Sequence, residues 1–166
     1  RFNFGNEMLE LLQQNDVKYS PEILWALGRL LDGKIRVPLF NNYLQQKDDA
    51  ISSAAALALL RIGEQRVLSY CLQMIPLNYW AFLPIGLSGD RSVIPKLLEF
   101  GLSDKVDPNC LIALGLLGDI SAIEILLNNL TNKELSEKAA IALNLITGAE
   151  LFEDIIVPEE IDEDEL

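Results

Sequence analysis

Five segments of this 166-residue chain align on one another, and that repetition constrains the fold more than any other feature. They are SPEILWALGRLLD (20–32), SSAAALALLRIGE (52–64), NYWAFLPIGLSGD (78–90), DPNCLIALGLLGD (107–119) and SEKAAIALNLITG (136–148). Gly28, Leu60, Gly86, Gly115 and Asn144 stand at equivalent positions, separated by 32, 26, 29 and 29 residues. A unit of this length cannot bury its own apolar face, so its neighbours must supply the core.

Each segment predicts a helix. In the fifth, Leu135, Ala139, Leu143 and Ile146 recur at helical spacing. A short turn follows, SGD at 88–90 and LGD at 117–119. Then comes a second apolar helix, SVIPKLLEFGL (92–102) or SAIEILLNNL (121–130). Asp90 and Asp119 are placed to cap these second helices by accepting from N–H groups that lack an intrahelical partner. Pro95 falls at a helix start, where its missing N–H costs little. No alternating apolar run bounded by hairpin turns competes with the helical pattern. The expected fold is all-α, with helix–turn–helix units stacked over residues 20–149. Residues 1–19, which include Phe2, Phe4 and the helix NEMLELLQQN (6–15), form an N-terminal capping helix or a truncated repeat. Residues 150–166 form an acidic tail. Ala55, Ala81 and Ala139 share one repeat position, with Ile23 and Cys110 in the other copies, and close helix packing is expected there.

Residue types exclude much chemistry. The chain has no histidine, which removes His-dependent triads and His-ligated metal sites. Neither a P-loop nor a GxSxG motif occurs, and ALGRLLDGK (26–34) lacks the Walker spacing and a preceding strand. Cys71 and Cys110 each sit in an apolar helical pattern and read as reduced core thiols of a cytoplasmic protein. The net charge is −12, of which residues 1–149 carry only −3, from sixteen acids and thirteen bases. Without a basic track, nucleic acid is not an expected partner. No apolar run approaches the roughly 18 residues needed to span a bilayer, so no membrane association is expected. The chain begins at Arg1 rather than Met, and a fragment of a longer protein is expected.

The pattern ALGLLGDISAIEILLNNL (113–130) resembles the HEAT-like repeats of phycobilisome lyases, and the likeness extends over about residues 20–149. It implies a right-handed α-solenoid of about five HEAT-like hairpins, an architecture shared by enzymes, adaptors and DNA repair proteins. Deoxyhypusine hydroxylase, a HEAT-like enzyme, needs His-Glu iron ligands that this chain lacks. HEAT-like DNA glycosylases need a basic groove, and here the expected groove bases are only Arg29 and Lys138. No pigment-binding residue set of the lyases carries over. A narrower stretch, AIALNLITGAELFEDIIVPEEIDEDEL (140–166), is similar to the end of proteobacterial HEAT-repeat proteins encoded near type VI secretion genes. Those continue into a Trp-Pro segment where this chain stops, so a cut C-terminus is expected.

The resemblance places the five repeat segments on the concave face of such an array. The solvent-facing pair of positions then reads Pro21-Glu22, Ser53-Ala54, Tyr79-Trp80, Pro108-Asn109 and Glu137-Lys138. Four copies are small or polar and one is a double aromatic. Pro84 inside the same segment is expected to kink or end its helix. Two readings stand. Tyr79 and Trp80 either fill a gap left by an irregular helix or serve as exposed anchors, large rigid side chains of the kind enriched in binding hot spots. The expected partner-binding residues are Glu22, Ser53, Tyr79, Trp80, Asn109, Glu137 and Lys138. Trp25, whose equivalents Leu57, Leu83, Ile112 and Ile141 are apolar, is expected between helices as core.

The tail holds nine acids and no base, including Glu159, Glu160, Asp162, Glu163, Asp164 and Glu165, alternating with Ile155, Ile156, Val157 and Ile161. It reads as a solvated segment or as an electrostatic lure for a basic partner. Its acid spacing is not that of an EF-hand loop, and neither metal nor cofactor is expected. The expected function is non-enzymatic protein binding, as a scaffold or adaptor accessory to type VI secretion. The alternatives are an immunity protein masking a basic toxin, a chromophore-lyase-like enzyme, or a structural module of a longer chain.

Overall fold

The structure, a computed structural model, describes residues 4–14, 20–103 and 105–149. Among these residues there are ten α-helices and no strand. Helix α1 is Phe4–Gln13. The five repeat segments contain α2 (Ser20–Leu30), α4 (Asp49–Arg61), α6 (Phe82–Leu87), α8 (Pro108–Leu117) and α10 (Ser136–Thr147). Between them run α3 (Arg36–Asn42), α5 (Arg66–Met74), α7 (Ile94–Gly101) and α9 (Ile123–Asn129).

Aspartates set many of the starts. Asp48 and Asp107 cap α4 and α8, accepting from the N–H of Ala50 and of Asn109, each at 2.8 Å. Asp90 and Asp119 act as expected but one step earlier. They cap the short 3-10 turns Arg91–Val93 and Ile120–Ala122, which lead into α7 and α9. Pro95 is in the first turn of α7. Gly118 and Gly148 end α8 and α10 at φ +65°, a left-handed conformation that other residues adopt only under strain.

Helix α4 packs on α2, α6 on α4, α8 on α6 and α10 on α8, while α3 and α5 lie against α4, α5 also against α6, α7 against α8 and α9 against α10. A single apolar core runs through these contacts, from Leu12 through Leu24, Leu59, Phe82, Leu97 and Leu114 to Leu143. The closest packing is not where the alanine row predicts it. Ala55, Ala81, Cys110 and Ala139 are fully buried, but the backbones approach most closely at Gly28, Gly86 and Gly115. A Cβ on those glycines would stand 2.7, 2.8 and 2.6 Å from the Cα of Ala58, Ala113 and Ala142. Each of these alanines lies two residues before the repeat position of the next unit. Only glycine against alanine lets neighbouring helices touch there.

The third unit is irregular, though not for the expected reason. Pro84 does not kink a helix. It is buried in the first turn of α6, where its N–H would have no intrahelical acceptor. The segment instead opens with the 3-10 turn Tyr79–Ala81, which leaves α6 only six residues. No helix among the described residues is long and apolar enough to cross a membrane.

Candidate functional site

Pro21, Glu22, Trp25 and Ala26 of α2, with Ala50, Ser53, Ala54 and Leu57 of α4, line a groove of about 690 Å³. Pro21 is the repeat equivalent of Ser53, and Trp25 of Leu57, so the two helices run side by side in register. Two of the expected partner-binding residues, Glu22 and Ser53, come together here.

Trp25 is the main correction. It is not inter-helix core but 44 % exposed. The Gly28–Ala58 contact explains this, because helices that touch backbone to backbone leave no room for an indole between them. The ring stays on the surface, with the guanidinium carbons of Arg29 and Arg61 at 4.8 and 5.0 Å from its centre. Sequence reasoning placed Arg29 in the groove and missed Arg61. The missing signal was repeat position, since Arg61 follows Leu60 as Arg29 follows Gly28.

The apolar surface continues beyond this groove. Leu57 also lines a cleft of about 330 Å³ with Leu60, Arg61, Leu87 and Ser88. Leu83, the repeat equivalent of Trp25, is exposed, and so is Leu87 one turn further on. The corresponding residues of α8 and α10 are half-buried at Ile112, Leu116 and Ile141 and exposed at Leu145. Helices α2, α4, α6, α8 and α10 thus present apolar side chains at two equivalent positions, replaced by arginine only at Arg29 and Arg61.

The remaining expected residues are spread along the chain rather than gathered in the groove. Tyr79 is exposed, whereas Trp80 is half-buried against the core. The aromatic pair is therefore split between the two readings. Asn109 is exposed at the start of α8. Glu137 is exposed and Lys138 half-buried on α10, joined as an ion pair of 2.8 Å. The tail acids Glu159, Glu160, Asp162, Glu163, Asp164 and Glu165 lie outside the described residues, as does Phe2.

A second cleft of about 540 Å³ lies beside the α4–α6 junction, lined by Leu60, Gly63, Glu64, Gln65, Leu68, Ser69, Ser88 and Asp90. Both of its carboxylates are already engaged, Asp90 Oδ1 accepting from the N–H of Ser92 at 2.9 Å. Glu64 Oε1 accepts from Arg66 Nε at 2.9 Å, and this hydrogen bond leads the effects that hold Glu64 down to about 2. The thiols of Cys71 and Cys110 are buried, and burial pushes both up to about 12, which leaves them protonated and poorly nucleophilic near neutral pH. Among the described residues no group of three His, Cys, Asp or Glu side chains could hold a metal ion.

The chain matches no protein-family model, and no curated protein sequence matches it.

Proposed function

We propose that this chain is a non-enzymatic protein-binding module, a right-handed α-solenoid of about five HEAT-like hairpins whose inner helices receive a protein partner. The observation that carries this reading is the apolar floor running from Trp25 across Leu57 to Leu83 and Leu87. Exposed apolar surface of this continuity has no role in the core and is characteristic of contact surfaces. Trp25 is its rigid aromatic anchor and Tyr79 a further exposed aromatic on the third unit, and tryptophan, tyrosine and arginine are the residues most enriched in binding hot spots. The nine acids of residues 150–166 favour a partner with a basic segment and would speed the encounter at low salt. The resemblance of residues 140–166 to proteins encoded near type VI secretion genes supports an adaptor role in a bacterial cytoplasm.

The test is co-purification of the tagged chain from its native host, beside a Trp25→Ala/Leu83→Ala/Leu87→Ala variant. The three side chains are exposed, so the variant is expected to fold. A stoichiometric partner held by the parent chain and lost by the variant supports the reading, and the identity of that partner separates a secretion adaptor from an immunity protein. Equal recovery by both chains overturns it.

A further inference from the structure

We propose that residues 153–166 of this chain dock in the Trp25 groove, with their carboxylates on Arg29 and Arg61 and their isoleucines on the apolar floor. The inference rests on this face being the binding face. It begins with an unbalanced charge. Arg29 and Arg61 lie over the same indole ring. Arg66, Lys96 and Lys138 each form an ion pair, but neither Arg29 nor Arg61 has a carboxylate partner among the described residues. Two guanidiniums held on one ring repel each other, and an anion placed between them relieves that repulsion. Glu22 lines the same groove, seven residues before Arg29 and therefore about 10 Å away along the helix. The groove thus asks for an occupant that offers carboxylates at the arginine end and apolar side chains to the floor.

Residues 153–166, EDIIVPEEIDEDEL, have this composition. Ile155, Ile156, Val157 and Ile161 alternate with eight acids, and there is no base. Pro158 disfavours a helix through this stretch. The reach is also sufficient. Arg29 and Arg61 are in the last turns of α2 and α4, and α10 ends at Gly148 after the equivalent turn. From α10 to α4 there are three helix-to-helix steps, or about 24–30 Å at the usual 8–10 Å spacing. The ten residues 149–158 span about 33 Å when extended. A chain of that length is enough to bring the first acids after Pro158 within reach of Arg61.

The experiment uses a Trp80→Phe background, in which Trp25 is the sole tryptophan. Acrylamide quenching and the emission maximum of Trp25 are compared in the full chain, in a chain lacking residues 153–166, and in an Arg29→Glu/Arg61→Glu chain, with folding checked by circular dichroism. The expected result is a protected, blue-shifted Trp25 in the full chain alone. That protection should be lost in 1 M NaCl, where the Debye length falls to about 3 Å, and should return when a synthetic 150–166 peptide is added to the truncated chain. Equal quenching of the full and truncated chains at low salt overturns the proposal, and so does protection that survives the double charge reversal. Protection that grows with protein concentration assigns the groove to the tail of a second copy and overturns docking within one chain. If the tail fails to dock while Trp25 variants still lose the partner, only this inference falls. If those variants keep the partner, the binding face itself falls.

Discussion

Gly115 and Ala142 meet backbone to backbone, so that a Cβ on Gly115 would stand 2.6 Å from the Cα of Ala142. Backbone cannot move aside as a flexible side chain can. Gly115→Ala therefore forces α8 and α10 apart, and overpacking of this kind costs about 1–3 kcal/mol. The better helix propensity of alanine returns up to about 1 kcal/mol. A net loss of about 1–2 kcal/mol in urea denaturation is the expected outcome, with losses of similar size for Gly28→Ala and Gly86→Ala. An unchanged urea midpoint would show that the helices are not in contact at this position.

The same rule predicts where the molecule opens. In the second unit the glycine position holds Leu60, and in the third the alanine position holds Pro84, so the α4–α6 junction lacks the contact made at the other three. Leu60 lines both clefts at that junction. Opening there separates α2–α4 from α6–α10 and parts α5 from one of its two neighbours, α4 or α6. Native-state hydrogen exchange is expected to show weaker protection in α6 than in α8, with the two groups exchanging as separate cooperative units. A single exchange free energy across both groups would refute this.

The helices and their order are legible in the sequence because the repeat and its apolar spacing are local signals. The contacts that shape the surface are not local. Gly28 is visible as a repeat position, but its partner Ala58 becomes apparent only when the spacing of one unit is laid against the next. Trp25 lies on the surface rather than in the core because of that contact. Its apolar equivalents mark it as core until the Gly28–Ala58 contact closes the space it would fill. Glu22 and Ser53 line one groove, a juxtaposition that helical phase alone suggests.

Carboxylates make the fold acid-sensitive. Glu64 is held down to about 2 from an ordinary 4.5, chiefly by the Arg66 hydrogen bond. Asp90 and Asp119 are also lowered, by hydrogen bonds from the hydroxyl and then the N–H of Ser92 and Ser121 respectively. A carboxylate whose folded value lies below its unfolded value stabilises the fold above the unfolded value, and that contribution is lost as pH falls through the folded one. The urea midpoint should therefore be level above about pH 5 and fall between there and about pH 2. Glu64→Gln should flatten that fall. An identical pH profile for Glu64→Gln would remove the Arg66 pair from the account.

Cys71 and Cys110 provide a check on the core. Both are fully buried and pushed up to about 12 by that burial. Neither should react with a thiol-specific chromogenic reagent in the native chain at pH 8, and both should react in denaturant. Rapid labelling of either without denaturant would show that the helix carrying it opens far more easily than its packing implies.

Tyr79 and Trp80 are adjacent in the same 3-10 turn but should behave oppositely. Tyr79 is 59 % exposed, while Trp80 packs on the core. Truncating an exposed side chain away from caps and networks changes stability by no more than about 0.5 kcal/mol. Removing a fully buried tryptophan costs about 3–5 kcal/mol, so a half-buried one should cost about 2 kcal/mol. Tyr79→Ala is therefore expected to leave the urea midpoint in place and to weaken partner capture. Trp80→Ala is expected to lower the midpoint, and Trp80→Phe to recover much of the loss. A stability cost at Tyr79 equal to that at Trp80 would make both residues packing elements and would remove Tyr79 from the binding face.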